Sequence, residues 1–266
     1  MDLMTEMLAF LLLGTVSGIL SGVLGIGGGT IIVPALAAMF SILNFPETHI
    51  MHLAAGTSLA AMIFSSQASF RAHYRRGNFA PKPLIKLLPS IIVGTVCGAI
   101  LADQMHSDWL RIIFGLFILI MSMRMLFAQR DHIGGKEHGW GLYSLMGSLI
   151  GLKAGLLGVG GAALTVPFLT HSQVNMRQAI TISSACALVI AICGSITAMF
   201  TGASAIDLPK WHTGYVYWPA VVGIAIPSML TAPRAAYWST RIPMKILKQC
   251  FATLLLIVGL HMLIGL

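Results

Sequence analysis

Two hydroxyl pairs, Thr57-Ser58 and Ser183-Ser184, stand inside apolar runs at matching points of the two halves of this chain. Grouped hydroxyls can donate hydrogen bonds to an oxyanion, or they can tie one helix to another. Positive charge lies near each pair. His52 precedes the first, Arg177 precedes the second, and Lys153 sits within the apolar stretch 149–157. A charge at such a depth is costly and marks function by default; the alternative for Lys153 is snorkelling to the interface. His52 and Arg177 also suit an ordinary interface, and Gln67 suits a packing hydrogen bond. His261 and the Met121, Met123 and Met125 stripe read as packing. The chemistry these residue types share is recognition of a small anion.

The elements that must position them are unusual. Gly22, Gly25, Gly27, Gly28, Gly29 and Thr30 are followed by Pro34, and a second copy runs Gly155, Gly158, Gly160, Gly161, Ala162, Ala163 and Pro167. Paired positions share one offset of 133 residues (155 − 22, 167 − 34). Glycine clusters and proline break helices, and broken backbone in a membrane survives only when buried in protein or lining a cavity. A duplicated break near the start of two halves points to a transporter's binding site, with helix N-termini able to hold an anion. The alternative is close packing through small residues. Gly25–Thr30 matches the start of a dinucleotide fingerprint only superficially, because its flanks are membrane-length apolar runs and the third glycine is missing. No cofactor or metal is expected.

Composition fixes the class. The chain is 57% hydrophobic and 9% charged, with a mean hydropathy of +0.87. This is the profile of an all-α polytopic membrane protein, without room for a sizeable soluble domain. The acidic start lacks the positive region of a signal peptide, so the first apolar run reads as a retained span. Sixteen Lys and Arg against eight Asp and Glu give a net charge of +8, explained mainly by positive-inside loops. Basic residues in short loops do not make a nucleic-acid surface. Cys97, Cys186, Cys193 and Cys250 fall in apolar runs without metal-like spacing and read as packing residues.

Apolar runs cover about 7–42, 50–70, 84–102 and 109–127, then 139–170, 178–201, 214–233 and 246–266. The first of each half is too long for one helix and carries the Gly/Pro break. Ala54-Ala55-Gly56-Thr57-Ser58 resembles 179–184, so the repeat extends past the glycines. The division is a first repeat over 1–128, a cytoplasmic linker over 129–138 and a second repeat over 139–266. Arg71, Arg75, Arg76, Lys82 and Lys86 flank one loop, while its counterpart offers Asp207 and Lys210. Equivalent loops therefore prefer opposite sides, which predicts two inverted-topology repeats. Each starts with a broken helical hairpin and continues with three transmembrane helices, and both termini lie outside.

All eight acidic residues (Asp2, Glu6, Glu47, Asp103, Asp108, Asp131, Glu137 and Asp207) map to termini or loops. No carboxylate is then available inside a span for ion coupling or for membrane-embedded enzyme chemistry. An inside-negative potential favours anion exit by about 2.3 kcal/mol per charge per 100 mV, so export can run without one.

The doubled glycine motif with its downstream proline, Ala-x-Gly-Thr-Ser at 54–58, and His73 to Asn78 resemble the TauE/SafE sulfite exporter family over nearly the whole chain. That resemblance implies a multi-pass permease of the bacterial inner membrane for sulfite, organosulfonates or other sulfur-containing anions. The expected partners are that anion and the lipid bilayer, with a homo-oligomer allowed. Uptake of a compound such as thiosulfate, or an anion channel, is the alternative. The expected substrate-binding residues are Gly27, Gly28, Gly29, Thr57, Ser58, Gly160, Gly161, Ser183, Ser184, Lys153, Arg177, His52 and Gln67. Ala162 and Ala163 replace the third glycine and the Thr, and Thr181-Ile182 stands where Gly-Thr is expected. The first break is therefore the better anion cradle.

Overall fold

The computed structural model describes residues 3–24, 28–75, 77, 79–127, 139–206, 208–238 and 244–264. The expected linker at 129–138 and Gly27 lie outside them. The described residues form ten α-helices and one small hairpin. In chain order they are α1 (Leu3–Leu24), α2 (Gly29–Ile42), α3 (Ile50–Tyr74), α4 (Pro81–Asp103) and α5 (Ser107–Phe127). The second half gives α6 (Trp140–Leu157), α7 (Ala162–His171) and α8 (Met176–Thr201). The hairpin of β1 (His212–Thr213) and β2 (Val216–Tyr217) follows, then α9 (Trp218–Trp238) and α10 (Met244–Ile264).

Five stretches, within α1, α4, α5, α6 and α8 with its short extension, are long and apolar enough to cross a membrane. The most central helix, α3, is not among them. Every residue from Met51 to Met62 is buried, so α3 is enclosed by protein and needs no lipid-compatible surface. That is why it can carry His52, Thr57, Ser58, Ser65, Ser66 and Ser69.

Glycine stripes fix the helix pairs. Gly14, Gly18 and Gly22 of α1 press against Ile224, Ser228 and Ala232 of α9. At the same offset of 133, Gly147, Gly151 and Gly155 of α6 press against the backbone of α4 near Leu87, Ile91 and Thr95. Both pairs run parallel, with contact at every fourth residue on one helical face. The other two pairs are antiparallel. In α3 and α8, Gly56 meets Ala198, Leu59 meets Gly194, and Ser69 meets Ser184. In α5 and α10, Arg111 Nε donates to the Met262 carbonyl at 3.1 Å and Ser122 Oγ to the Ala252 carbonyl at 2.8 Å.

These pairings sort the charges. The starts of α1, α3, α5 and α9 share one end of the bundle with the ends of α4, α8 and α10. This acidic face carries Glu6, Glu47, Asp103 and Asp108 beside Arg111 and Lys210. The opposite, basic face carries Arg71, Arg75, Lys82, Lys86, Arg124, Arg177 and Arg234, with no acid among the described residues.

Three expectations from the sequence are corrected. Glu6, Asp103 and Asp108, expected in termini or loops, lie inside α1, α4 and α5 close to the acidic-face ends of those helices. The breaks lie at the glycines alone, because Pro34 and Pro167 sit inside α2 and α7, past the first turn. The apolar run 214–233 is not one helix. Gly214 at φ 55 turns the hairpin, a conformation glycine adopts freely, and α9 starts only at Trp218.

The same substitution should act oppositely at two positions of α6. A Cβ at Gly151 would fall against the Ile91 carbonyl, whereas Gly141 has open space around it. Gly151→Ala is predicted to destabilise by about 1–3 kcal/mol, and Gly141→Ala to be neutral or stabilising by about 0.5–1 kcal/mol. Thermal unfolding of the detergent-solubilised protein measures both; equal shifts would refute close α4–α6 packing.

Candidate functional site

The two breaks meet each other. Helix α6 ends at Gly158, whose φ of 69 is left-handed, and helix α2 starts after Gly28, at φ 76. A Cβ on Gly29 would lie 2.9 Å from the Gly158 carbonyl oxygen and 2.6 Å from Met62 Sδ. The backbones of the two halves can thus touch only because Gly29 has no side chain. Ser58 Oγ of α3 donates to that same Gly158 carbonyl at 3.0 Å. A hydroxyl of the first half therefore satisfies the broken backbone of the second.

The first break is ringed by hydroxyls. Ser17 and Ser21 of α1, Thr30 of α2, Ser66 of α3 and Ser183 of α8 are all buried, with no hydrogen-bond partner for their side-chain oxygens among the described residues. Ser17 lies against Gly28, and Ser69 Oγ is 3.4 Å from both the Ser21 carbonyl and Ser184 Oγ. Met62, Ser66 and Ser69 share one face of α3. Ile31 and Ile32 both donate to the Gly28 carbonyl, so the N–H groups of Gly29 and Thr30 precede the first intrahelical bond of α2. Clustered donors at a helix start are suited to an oxyanion.

The second break lacks this lining. At the offset of 133, Ser17, Ser21 and Thr30 correspond to Ile150, Ala154 and Ala163. A Cβ on Gly161 would meet Ile150, as one on Gly28 would meet Ser17. Their backbones differ as well, since Gly161 has φ −71 against 76 at Gly28. Gly160 and Gly161 are buried, and the hydroxyl beside them, Thr165 Oγ1, is already used, donating to the Gly161 carbonyl at 2.9 Å.

The other expected residues scatter along the bundle. Thr57 Oγ accepts the Tyr217 N–H at 3.0 Å, leaving its own proton to donate. Ser184 Oγ donates to the Ile180 carbonyl at 3.0 Å. His52 and Arg177 stand near the starts of α3 and α8, at opposite ends of the bundle; His52 is buried and Arg177 exposed. Gln67 is half-buried. Lys153 faces away from α4, because the α4-facing stripe is Gly147, Gly151 and Gly155 and position 153 falls on the other side of the helix. Its Nζ is buried without a hydrogen-bond partner, 4.4 Å from the centre of the Phe117 ring.

The hairpin 212–217 is wedged between α3 and α8 toward the acidic face. Tyr215 N–H donates to the Ala198 carbonyl at 3.1 Å, and the Tyr215 carbonyl lies against Gly56. Tyr217 packs its ring edge-on to Phe10, Phe40 and Phe45. Burial and the Asp103 carboxylate beside it hold the Tyr215 phenol protonated above its ordinary range. Asp103 thus closes the end of α4 against a buried tyrosine. Ser17, Ser21, Ser66, Ser69 and this tyrosine–carboxylate pair were not expected from the sequence. The available signal was the helical spacing of Ser17 with Ser21 and of Ser66 with Ser69.

The family model for sulfite exporter TauE/SafE matches residues 10–262. A probable membrane transporter protein of Haemophilus influenzae is 31% identical over 259 residues, covering 97% of this chain and 98% of that protein. Probable membrane transporter proteins of Methanocaldococcus jannaschii and Bacillus subtilis are 26% and 24% identical, over 96% and 92% of this chain and 94% and 96% of theirs. No solved structure matches the chain. The match runs from α1 to α10 and takes in both breaks with the helices that bury them: the chain belongs to the TauE/SafE sulfite exporter family of membrane transporters.

Proposed function

We propose that this chain is a secondary transporter that exports small sulfur-containing anions, sulfite or organosulfonates among them, across the bacterial inner membrane. The observation that carries the reading is the contact of Gly29 with Gly158 beside buried, unpartnered hydroxyls, with no carboxylate at the contact among the described residues. The anion binds at the first break, held by the glycines 27–29 and by hydroxyls of Ser17, Ser66 and Ser183. Thr57, Ser58, Ser184, Gly160 and Gly161 frame it from α3, α8 and the second break. Lys153 acts through its field, since an uncompensated charge in a low-dielectric region reaches further than in water. Arg177 and Gln67 lie toward the basic face, where they meet the anion on entry. The sulfur-anion class rests on the family and not on the pocket itself.

Residues 1–128 and 139–266 are read as inverted repeats. The antiparallel α3–α8 and α5–α10 pairs support this, because a two-fold axis in the membrane plane makes equivalent helices antiparallel. The basic face is cytoplasmic by the positive-inside rule, which leaves both termini periplasmic. Alternating access moves the halves about the Gly29–Gly158 contact. The hairpin seated between α3 and α8 supports a carrier over an open channel.

Proteoliposome flux with sulfite, thiosulfate, sulfoacetate and sulfate, with and without pH and Na⁺ gradients, tests the reading. Saturable flux with counter-transport is expected, and unsaturable flux without it would refute a carrier. Ser66→Ala should leave stability within about 0.5 kcal/mol, because it removes no protein hydrogen bond, yet weaken anion binding roughly tenfold. Ser58→Ala should instead lose about 1–3 kcal/mol of stability by orphaning the Gly158 carbonyl. Lys153→Ala should weaken binding in a purified-protein assay; unchanged affinity would remove Lys153 from the site.

A further inference from the structure

His52 is held so that a proton can add at one atom only. Its Nε2 lies 3.0 Å from the Ala102 carbonyl oxygen, which can only accept, so in the neutral ring Nε2 carries the proton and Nδ1 the lone pair. That Nδ1 is buried and has no hydrogen-bond partner among the described residues. The ring lines a small cavity with Asp103, Tyr215, Leu110, Gly155 and Thr201. The titratable groups facing it are His49 ahead of α3, Asp103 at the end of α4 and Tyr215 on the hairpin, with ring centroids 6.0 Å away at His49 and 5.0 Å at Tyr215. The cavity walls from α5, α6 and α8 present Leu110, Gly155 and Thr201, which do not titrate.

Tyr215 joins this cluster to the anion pathway. Its phenol stands beside the Asp103 carboxylate in the same cavity, and its ring faces both imidazoles. Two residues on, Tyr217 N–H holds Thr57, the neighbour of Ser58 at the second break. The hairpin is therefore pinned at one end by the carboxylate that an imidazolium at His52 would attract.

We propose that His52 is a proton-binding site that controls the hairpin: a proton from the acidic face adds to Nδ1, the imidazolium draws the Asp103 carboxylate from the Tyr215 phenol, and the hairpin leaves the α3–α8 crotch. Coupling of that proton to anion movement rests on the transport reading; release of the hairpin does not. The ligand is the proton, and the carrier would use it to open its acidic-face mouth.

The test uses the full chain in detergent without added anion, its four cysteines replaced by alanine, with Ala99→Cys placed in the cavity. Labelling by a water-soluble maleimide is divided by that of Lys210→Cys in the exposed loop, which removes the thiol's own pH dependence. The corrected rate should be about fivefold or more higher near about pH 4.5 than near about pH 8, a span that extends below the ordinary histidine range. His52→Gln, whose amide can still donate to Ala102, should abolish the difference. Asp103→Asn should move the half-point to lower pH and His49→Gln to higher pH, by loss of an attraction and of a repulsion respectively. A pH-independent rate, or a dependence that survives folded His52→Gln, overturns the proposal. If His52→Gln does not fold, absence of both opposite shifts overturns it. Thiosulfate flux in proteoliposomes separates the two readings. PH-dependent labelling without flux refutes transport and upholds the switch, whereas flux with an unchanged pH profile in His52→Gln refutes the coupling.

Discussion

A helix interrupted inside a membrane exposes carbonyl and N–H groups where no water can reach them, and each unsatisfied group costs several kcal/mol. Here the carbonyl of Gly158, at the end of α6, is taken by Ser58 from the other half. The backbone at Gly29 packs directly against it. Much of the architecture follows from that junction. Helix α3 must be central to deliver Ser58, and α8 must cross it to close the other side. The paired α1–α9 and α4–α6 helices must hold both breaks in place. Glycine at every fourth position of α1 and α6 lets those pairs approach closely enough to do so.

The same junction makes the two halves unequal. One break is surrounded by serine and threonine, while the other has isoleucine and alanine at corresponding positions. A polar group at the second break would need its own partner, and Ser58 already supplies the one it has. The second break is thus satisfied by protein, and the first retains donors for something else. An anion held by neutral donors keeps enough affinity to bind without the ion pair that would slow its release.

The chain also separates its charges by position. Carboxylates gather at the face that holds the hairpin, and cations at the opposite face. Asp103 is half-buried at the end of α4, where its carboxylate stands beside the Tyr215 phenol. The hairpin therefore adds a polar contact in a partly dry site to its backbone bonds and aromatic packing. Such a contact is strong while both partners are present and is lost when a better partner for the carboxylate appears.

Much of the helical framework was legible from composition and periodicity. The eight apolar runs, the duplicated Gly22–Gly29 and Gly155–Gly161 segments and the loop charges are local or pairwise properties of the chain. The glycines were readable as breaks because glycine is a poor helix former, and Gly28 and Gly158 do adopt a backbone that L-residues avoid, but the prolines misled. Pro34 and Pro167 fit inside α2 and α7, past the first turn, without ending either helix. The hairpin at 212–217 was not readable, because an apolar run looks the same whether it packs as a helix or as a buried turn. The site was half legible. Sequence pointed to Thr57, Ser58, Ser183 and Ser184, yet only tertiary structure determined that Ser58 satisfies a carbonyl of the other half while Ser17, Ser21 and Ser66 stay unpartnered. The direction of Lys153 toward Phe117 was likewise decided by the packing of α5 on α6. The sequence by itself determined where the backbone must break and which residues can donate. Which donors remain free is a matter of partners distant in the chain, and those are set only when the helices pack.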